Sequence, residues 1–233
     1  MLYSVPHYMG HRLTGLDVPS PHSLIDPDLP EGTEMERMAA LYPVVAKAVA
    51  ADTGIPSVYA GDCCVILPVI AGLQHKGLDP VIFFFDAHGD FNTWETTPSQ
   101  FIGGMPLAMA TGRGEMTIAD ACDLRPLPDE DAILVDGRDL DPMEAEALDD
   151  SAVATVDVGD VAAWIPEARP LYVHVDVDVV DPVDLPAINY PAPNGPSLDA
   201  VAASVATLAA TGPVSYTHLR AHETKTRIAG GLE

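Results

Sequence analysis

Three short apolar runs constrain the fold of this chain more than any other feature. Residues 81–85 read VIFFF, an unbroken apolar run, and residues 132–135 and 171–175 have a similar character. Such a run is typical of a strand whose two faces are both buried, as in a parallel sheet. Helical stretches lie between the runs, and strands that alternate with helices predict helices on both sides of the sheet. We therefore predict an α/β fold of three layers, α/β/α, with a mostly parallel sheet.

The spacing of apolar residues also predicts the helices. It is helical at Met38, Leu41, Tyr42, Val45 and Val49, and again at Val201, Val205 and Leu208. A short strand near residues 57–60 and an apolar helix up to about residue 77 are predicted as well, whereas residues 12–35 predict a loop. Because no repeat or second boundary interrupts this pattern, residues 1–214 are predicted to form a single domain.

The pattern changes after Val214. Residues 215–233, SYTHLRAHETKTRIAGGLE, have no apolar period, and the part SYTHLRAHET resembles the translation of a sequencing adaptor. We predict that this segment is a non-native tail and that the last part of the sheet is missing. A genuine flexible tail is the alternative.

The charge balance argues against some classes of partner. The chain has 35 acidic and 11 basic residues, a net charge of −24. Such a surface repels nucleic acid and anionic membranes, and it either suits a cationic ligand or serves solubility. No apolar run approaches the roughly 20 residues that cross a bilayer. The N-terminus lacks the features of a secretory signal, and three cysteines make no disulfide framework. These features predict a cytoplasmic protein.

The first chemical motif directly follows the run at residues 81–85. Asp86, His88 and Asp90 alternate in the sequence DAHGD, so in an extended chain they project to one side. Ligands of open α/β sheets bind at the carboxyl ends of the strands. Clustered carboxylates repel one another unless a cation lies among them. The motif therefore predicts a metal site, and a hydrogen-bonded loop cap is the alternative.

A second motif, HVDVDVVDP, ends another of the apolar runs. His174, Asp176 and Asp178 share one face of an extended strand, and Asp181-Pro182 turns the chain out of the sheet. Two acidic strand ends side by side predict a binuclear site, with cations about 3.5–4 Å apart that ionise a water between them near neutral pH. Oxygen ligands with some imidazole favour Mn²⁺.

These motifs, in this order and after a Gly-Asp turn, resemble those of the arginase/agmatinase (ureohydrolase) family. Residues 134–144, LVDGRDLDPME, also resemble the family's segment between its two metal motifs, and the resemblance covers roughly residues 55–195. It implies an α/β protein with two divalent metal ions, most often Mn²⁺. A hydroxide that bridges the ions would hydrolyse a small guanidino or amidino substrate and release urea or a related product. The resemblance also implies a homo-oligomer, a trimer or a hexamer.

The resemblance implies a metal-binding role for five residues of the two motifs. Asp86, His88, Asp90, Asp176 and Asp178 match five of the family's six metal ligands. Asp86 and Asp176 would bridge the two ions. Asp90 would also be catalytic, because it would accept a hydrogen bond from the attacking hydroxide and hold it for attack.

Three further residues match substrate contacts of the family. Asn92 and Ser99 match positions at which arginases bind the substrate α-carboxylate, and Asp141 matches one that faces the α-amino group. Together they favour an amino acid over a decarboxylated amine. Asn, Ser and Asp before Pro are also ordinary residues of loops and turns.

Three departures from the family pattern bear on the chemistry. Cys63 replaces the His that is the sixth ligand, and a thiolate there favours zinc, iron or nickel over manganese. Packing as a small buried residue is the alternative for Cys63. Gly103 replaces a proton-transferring His, for which His174 is the candidate catalytic substitute or else a core histidine. The family's late glutamate, which pairs with the guanidinium, has no counterpart.

Two hypotheses about function follow. The first is a metal-dependent hydrolase of guanidino or amidino C–N bonds. The second is a non-catalytic metal-binding homologue or an inactive fragment of such an enzyme, because a missing general acid costs about 10²–10⁴-fold in rate.

Overall fold

The computed structural model describes residues 1–16, 18, 20, 22–211 and 214–219, the last of these ranges as backbone only. The strands are β1 Leu2–Val5, β2 His7–Tyr8, β3 His11–Arg12, β4 Ser23–Leu24, β5 Ser57–Ala60, β6 Val81–Asp86, β7 Ala132–Asp136, β8 Ala154–Val156, β9 Leu171–Val175 and β10 Val214–Leu219. The α-helices are α1 Glu34–Ala51, α2 Ile66–His75, α3 Pro106–Ala110, α4 Thr117–Ala121, α5 Pro142–Asp149 and α6 Leu198–Ala209.

One large parallel sheet organises the described residues. Its strand order is β4-β1-β5-β10-β9-β6-β7-β8, and the short strands β2 and β3 pair antiparallel beside it. The three apolar runs form the neighbouring strands β9, β6 and β7, as their composition predicts. The predicted α/β fold with a parallel sheet is confirmed.

Each face of the sheet carries its own apolar cluster. On β6, Phe84 packs into a cluster with residues of α1 to α4, whereas Phe83 and Phe85 pack into one with residues of α6. Side chains alternate along a strand, so an unbroken apolar run supplies both clusters at once. The helices thus lie on both sides of the sheet and complete the three layers.

Helix α1 begins at a side-chain cap and packs closely on α2. The Thr33 hydroxyl accepts from the Glu36 backbone N–H, and Glu36 accepts in return from the Thr33 backbone N–H. This capping box satisfies donors that the first turn leaves without partners. Where the helices meet, a Cβ on Gly72 would lie 2.6 Å from the carbonyl oxygen of Ala46, so only glycine permits this approach. The five apolar residues predicted for this helix are all buried.

Strand β10 differs from the expectation for the end of the chain. It lies between β5 and β9, where Leu219 pairs with Ala60 and His218 pairs with Val175. The sequence predicts no strand here, because the segment lacks the apolar run that identifies the other central strands. Residues 220–233 lie outside the described residues, and the non-native origin of residues 215–233 stays a prediction. None of the described helices is both long and apolar enough to cross a membrane.

Candidate metal centre

A cavity of about 350 Å³ opens at the carboxyl ends of the central strands. Eight carboxylate side chains line it, namely Asp62, Asp86, Asp90, Asp139, Asp141, Glu144, Asp176 and Asp178. Among the described residues that line it, His88 alone has a basic side chain. The cavity therefore presents a strongly anionic surface to any ligand.

The end of β6 contributes the centre of this surface. Asp86 is its last residue and is 1 % exposed, and its Oδ1 accepts from the His88 backbone N–H at 2.8 Å. The His88 Nδ1 atom lies 3.2 Å from an oxygen of Asp86 and 3.2 Å from an oxygen of Asp178. Asp90 follows with φ +47, a left-handed conformation that Asp tolerates better than most residues. The motif DAHGD thus places three side chains on the lining of one cavity, with the donor atoms of Asp86 close to those of both His88 and Asp90.

Cys63 reaches the same point from β5. It begins a short 3₁₀ turn, Cys63–Val65, which the side chain of Asp62 caps by accepting from the Cys64 backbone N–H at 3.1 Å. The Cys63 Sγ atom lies 3.0 Å from Asp176 Oδ2 and 3.9 Å from Asp86 Oδ2. Asp62 itself is buried, where it accepts from the Tyr42 hydroxyl at 2.5 Å. The thiol therefore lies among the carboxylates of the cluster.

The second motif joins the cluster through a turn rather than an extended strand. Strand β9 ends at Val175, and Asp176 caps a 3₁₀ turn, Val177–Val179, by accepting from the Asp178 backbone N–H at 2.9 Å. Asp178 Oδ1 accepts from the Ala87 backbone N–H at 3.3 Å. Asp176 and Asp178 thus both reach the cluster, although not as neighbours on one strand face.

His174 lies elsewhere. It is fully buried on β9, stacks on Phe84 with ring centroids 4.5 Å apart, and meets the Tyr172 ring edge-on at 6.5 Å. It is not among the residues that line the cavity. Because β9 ends one residue later and the chain then turns, the structure does not bring this predicted catalytic candidate to the site.

The donor atoms of the cluster fit metal ions. Two groups have ligand atoms that all lie within 4.8 Å of one another: Cys63, Asp86 and Asp90, and Asp86, His88 and Asp178. Asp86 belongs to both groups, as a bridging carboxylate would. One oxygen of Asp90 is buried without a hydrogen-bond partner among the described residues. Such an atom is costly unless something binds it.

The raised pKa values of the cluster also favour the binding of cations. Burial, reinforced by the neighbouring carboxylate of Asp178, raises the pKa of Asp86 well above its usual range and that of Asp176 to about 7. Burial raises the pKa of the Cys63 thiol, and the nearby Asp176 carboxylate adds to this effect. Buried acids that repel one another in this way bind either protons or cations. Cations would compete with protons for these side chains.

The residues predicted to contact substrate lie together on another wall of the cavity. The Asn92 side-chain amide donates to Asp141 Oδ2 at 3.1 Å, and its oxygen accepts from the Thr96 hydroxyl at 2.9 Å. Ser99 lies next to Thr97, with 3.1 Å between their hydroxyl oxygens. Asn92, Ser99 and Asp141 all line the cavity.

Glu144 lines the cavity, although it is not among the site residues predicted from the sequence. It is 3 % exposed and accepts from the Phe91 backbone N–H at 2.8 Å and from the Asp141 backbone N–H at 3.2 Å. A Cβ on Gly89 would lie 2.7 Å from its carboxyl carbon, so glycine admits it. The sequence DPME carries the signal, because an Asp cap, a Pro at the first helical position and a Glu two residues later mark a helix start.

Three aromatic residues that no sequence motif predicted, Tyr8, Phe101 and Tyr190, also line the cavity. The Tyr190 ring lies 6.3 Å from the His88 ring and 6.0 Å from the Phe101 ring, measured between centroids. A Cβ on Gly103 would lie 2.5 Å from Phe101 Cζ and 3.0 Å from Met9 Cε. Phe101 therefore occupies the space that a side chain at position 103 would need.

Comparison with known proteins places these features in a family. A sequence profile described as "Arginase family" matches residues 17–217. The chain is 30% identical over 193 residues to an N(omega)-hydroxy-L-arginine amidinohydrolase of Streptomyces lavendulae. This alignment covers 81% of this chain and 66% of that protein. It is 27% identical over 153 residues to an arginase of Bacillus subtilis. This second alignment covers 60% of this chain and 52% of that protein. The chain thus spans between half and two thirds of the length of these relatives.

Solved structures support the fold. An arginase of Entamoeba histolytica in complex with L-ornithine superposes with a TM-score of 0.81 at 20% identity, covering 95% of this chain and 90% of that one. A formimidoylglutamase of Bacillus subtilis gives a TM-score of 0.72 at 15% identity, covering 96% of this chain and 79% of that one. The architecture is therefore shared with proteins whose sequences have diverged widely.

Proposed function

The chain belongs to the arginase family, and we propose from this premise that it is a metal-dependent hydrolase of C–N bonds in linear guanidino or amidino compounds. The observation that carries the proposal is the meeting of six donor side chains from three strand ends in one anionic cavity. These are Cys63, Asp86, His88, Asp90, Asp176 and Asp178. Their convergence leaves like charges buried together, which favours a function that uses cations.

Two divalent ions are the cofactor that this donor set suits. Asp86 would contribute to both ions, with Cys63 and Asp90 on one side and His88 and Asp178 on the other. Asp176, whose carboxylate lies beside Cys63, would bridge or complete the first group. The oxygen-rich group with His88 suits Mn²⁺, whereas the thiolate of Cys63 favours zinc, iron or nickel at its own position.

The metal ions and the side chains of the cavity would have separate roles in the hydrolysis. A pair of divalent ions supplies a water that ionises near neutral pH. Asp90 presents a buried oxygen without a partner among the described residues, which suits it to accept a hydrogen bond from the attacking water and orient it. Gly103 offers no side chain to protonate the departing amine, and Phe101 occupies the adjacent space. The proton for the departing amine would therefore come from solvent water or from the attacking water that Asp90 orients.

The charge of the cavity argues for a cationic substrate. Two divalent ions carry four positive charges, whereas eight carboxylates line the cavity. A guanidinium group suits this excess, and Asn92, Ser99 and Asp141 offer contacts for an α-amino-acid end at the same time. We therefore favour a guanidino amino acid. The proposed substrates include compounds with an N-hydroxylated guanidino group, because the relative from Streptomyces lavendulae is named for such a substrate.

A non-catalytic metal-binding homologue is the second candidate. Gly103 favours it, because Phe101 fills the space that the family's proton-transferring side chain would use. Metal uptake without turnover would be its signature.

An assay with and without metal separates the candidates. Protein treated with chelator and reloaded with Mn²⁺ or Zn²⁺ would be given arginine, agmatine and N-hydroxyarginine, and urea or hydroxyurea would be measured. We expect release that depends on metal and is abolished in Asp86→Asn. Metal uptake with no product from any compound would support the second candidate, and no metal uptake would overturn both.

A further inference from the structure

Arg138 has no part in the chemistry proposed above, yet an unusual turn places its guanidinium against the backbone of Asp178, one of the proposed metal ligands. It follows β7 after Asp136, which has φ +90, and Gly137, which has φ +60. A positive φ is uncommon for a residue with a Cβ and persists where the surrounding structure enforces it. Asp136 also forms an ion pair with the Arg138 guanidinium.

The guanidinium of Arg138 binds two segments that border the cavity. Nη2 donates to the Asp178 carbonyl oxygen at 3.1 Å, and Nη1 donates to the Val179 carbonyl oxygen at 3.0 Å. Nη2 also donates to the Ala192 carbonyl oxygen at 2.7 Å. The side chain is 15% exposed, so these bonds compete little with water. Asp178 is one of the proposed metal ligands, and Ala192 follows closely after Tyr190 in the chain.

The segment just before Ala192 lines the cavity. Its residues Ile188, Asn189 and Tyr190 contribute to the lining, and the Tyr190 ring lies against His88. We refer to residues 188–195 as the 188–195 loop. The guanidinium therefore ties this loop to the turn that presents Asp178.

Gly195, at the end of the loop, admits the guanidinium. A Cβ at this position would lie 2.6 Å from both Cζ and Nη2 of Arg138. Alanine at position 195 would displace the guanidinium while leaving its charge in place. The close approach gives a second way to test Arg138 without changing Arg138 itself.

We propose that Arg138 is a positioning residue that holds the Asp178 turn and the 188–195 loop in the geometry that binds metal and substrate. The proposal rests on the proposed function, because it assigns the metal and substrate roles to those two segments. Only a planar fork of several N–H donors reaches three carbonyl oxygens and a carboxylate at once, so lysine is a poor replacement.

Metal binding tests the proposal on the full-length protein. Metal-free wild type, Arg138→Lys and Gly195→Ala would be titrated with Mn²⁺ by calorimetry, with thermal unfolding of each metal-free protein beside it. We expect both variants to bind Mn²⁺ about 10–100-fold more weakly, as is usual when partners behind metal ligands are altered. At saturating Mn²⁺, KM for a guanidino substrate should rise more than kcat falls.

Matched controls are present in the same chain. Arg169→Lys alters an exposed ion pair with Asp131, and Gly159→Ala adds a methyl group where no atom lies within 4 Å. Both should keep the wild-type affinity for Mn²⁺. If Arg138→Lys fails to fold, Gly195→Ala decides the question.

The Mn²⁺ affinity and the KM of the variants decide whether Arg138 is a positioning residue. Folded variants with wild-type affinity for Mn²⁺ and wild-type KM would overturn the role of Arg138. Wild type that binds Mn²⁺ but releases no product would contradict the proposed hydrolysis, and the change in Mn²⁺ affinity would still decide the role of Arg138. A wild type that binds neither Mn²⁺ nor Zn²⁺ would overturn both.

Discussion

Cys63 sets the chemical character of one half of the donor cluster. Its Sγ atom lies 3.0 Å from Asp176 Oδ2, and its donor group also contains Asp86 and Asp90. We expect Cys63→Ala to lower the metal content of the protein, because the group then has only carboxylates to offer a soft ion. Elemental analysis after loading with Mn²⁺ and Zn²⁺ checks this, with the larger loss expected for Zn²⁺.

Cys122→Ala is the matched control for that experiment, because Cys122 is buried and does not line the cavity. It should bind as much metal as the wild type. An unchanged metal content in Cys63→Ala would remove Cys63 from the ligand set.

Gly103 and Phe101 are expected to depend on each other. A side chain at position 103 would collide with Phe101, so Gly103→His alone should lower the free energy of unfolding by about 1–3 kcal/mol, as overpacking does. Adding Phe101→Ala should relieve the overlap, so the two changes should be non-additive in a denaturant double-mutant cycle. Additive effects would show that the ring does not occupy that space.

The metal-free protein should lose stability as the pH rises. Burial and the Asp178 carboxylate raise the pKa of Asp176 to about 7 from an ordinary value of 3.8. Between these values the folded protein binds more protons than the unfolded chain, so the free energy of unfolding falls with rising pH. Although burial lowers the pKa of His88, hydrogen bonds to Asp178 and Asp86 raise it to about 12 from 6.5, which has the same sign at higher pH.

Urea unfolding at pH 5 and pH 8 checks this expectation. Chelator-treated protein should be less stable at pH 8, whereas Mn²⁺ should stabilise the protein more at pH 8 because its ligands must be deprotonated. A metal-free protein that is more stable at pH 8 would contradict the assignment of these acids to one buried cluster.

The sequence predicted the membership of the cluster better than its surroundings. Asp86, His88, Asp90, Asp176 and Asp178 lie together, because short motifs at strand ends keep their spacing whatever the rest of the chain does. His174 follows the alternative of a core histidine, because it lies within β9 and is buried away from the cavity, whereas Asp176 and Asp178 lie beyond the end of the strand. Tyr190 and Arg138 were missed, because their contacts with His88 and Ala192 join segments that are distant in the sequence, and no local pattern records them.

At the scale of elements, the contact between α1 and α2 depends on Gly72. A Cβ there would lie 2.6 Å from the Ala46 carbonyl oxygen, a backbone atom that moves only with the whole helix. Gly72→Ala should therefore lower the free energy of unfolding by about 1–3 kcal/mol, although alanine is the better helix former. Gly54→Ala, whose nearest contact is 3.5 Å, is the control. Equal stability of the two variants in urea would contradict this packing.

The elements themselves were predictable where their apolar signal was strong. Ser57–Ala60 and Leu171–Val175 have the predicted bounds, and Val201 and Leu208 are buried on α6 as their spacing indicates. Strand β4 has only two residues within the predicted loop, and its existence depends on pairing with β1. Strand β10 likewise follows from its two neighbours and not from any run of its own.

The net charge of −24 should act on the molecule as a whole. Like charges repel across the folded protein, and this repulsion weakens as the Debye length falls from about 30 Å at 0.01 M salt to about 8 Å at 0.15 M. We therefore expect the midpoint of thermal unfolding to rise with NaCl over this range. Circular dichroism checks this, with sucrose at equal osmolality as the control, and a midpoint that falls with NaCl would contradict it.

The position of β10 has a consequence for the order of assembly. It is the last of the described strands in the chain, yet it separates β5, which leads to Cys63, from β9, which leads to Asp176. Without β10 the other strands would form two separate pieces of sheet, with Cys63 at the end of one piece and Asp86 and Asp176 at the ends of the other. Joint binding of a cation by ligands from both pieces of sheet would then depend on the pairing of β10 with its two neighbours.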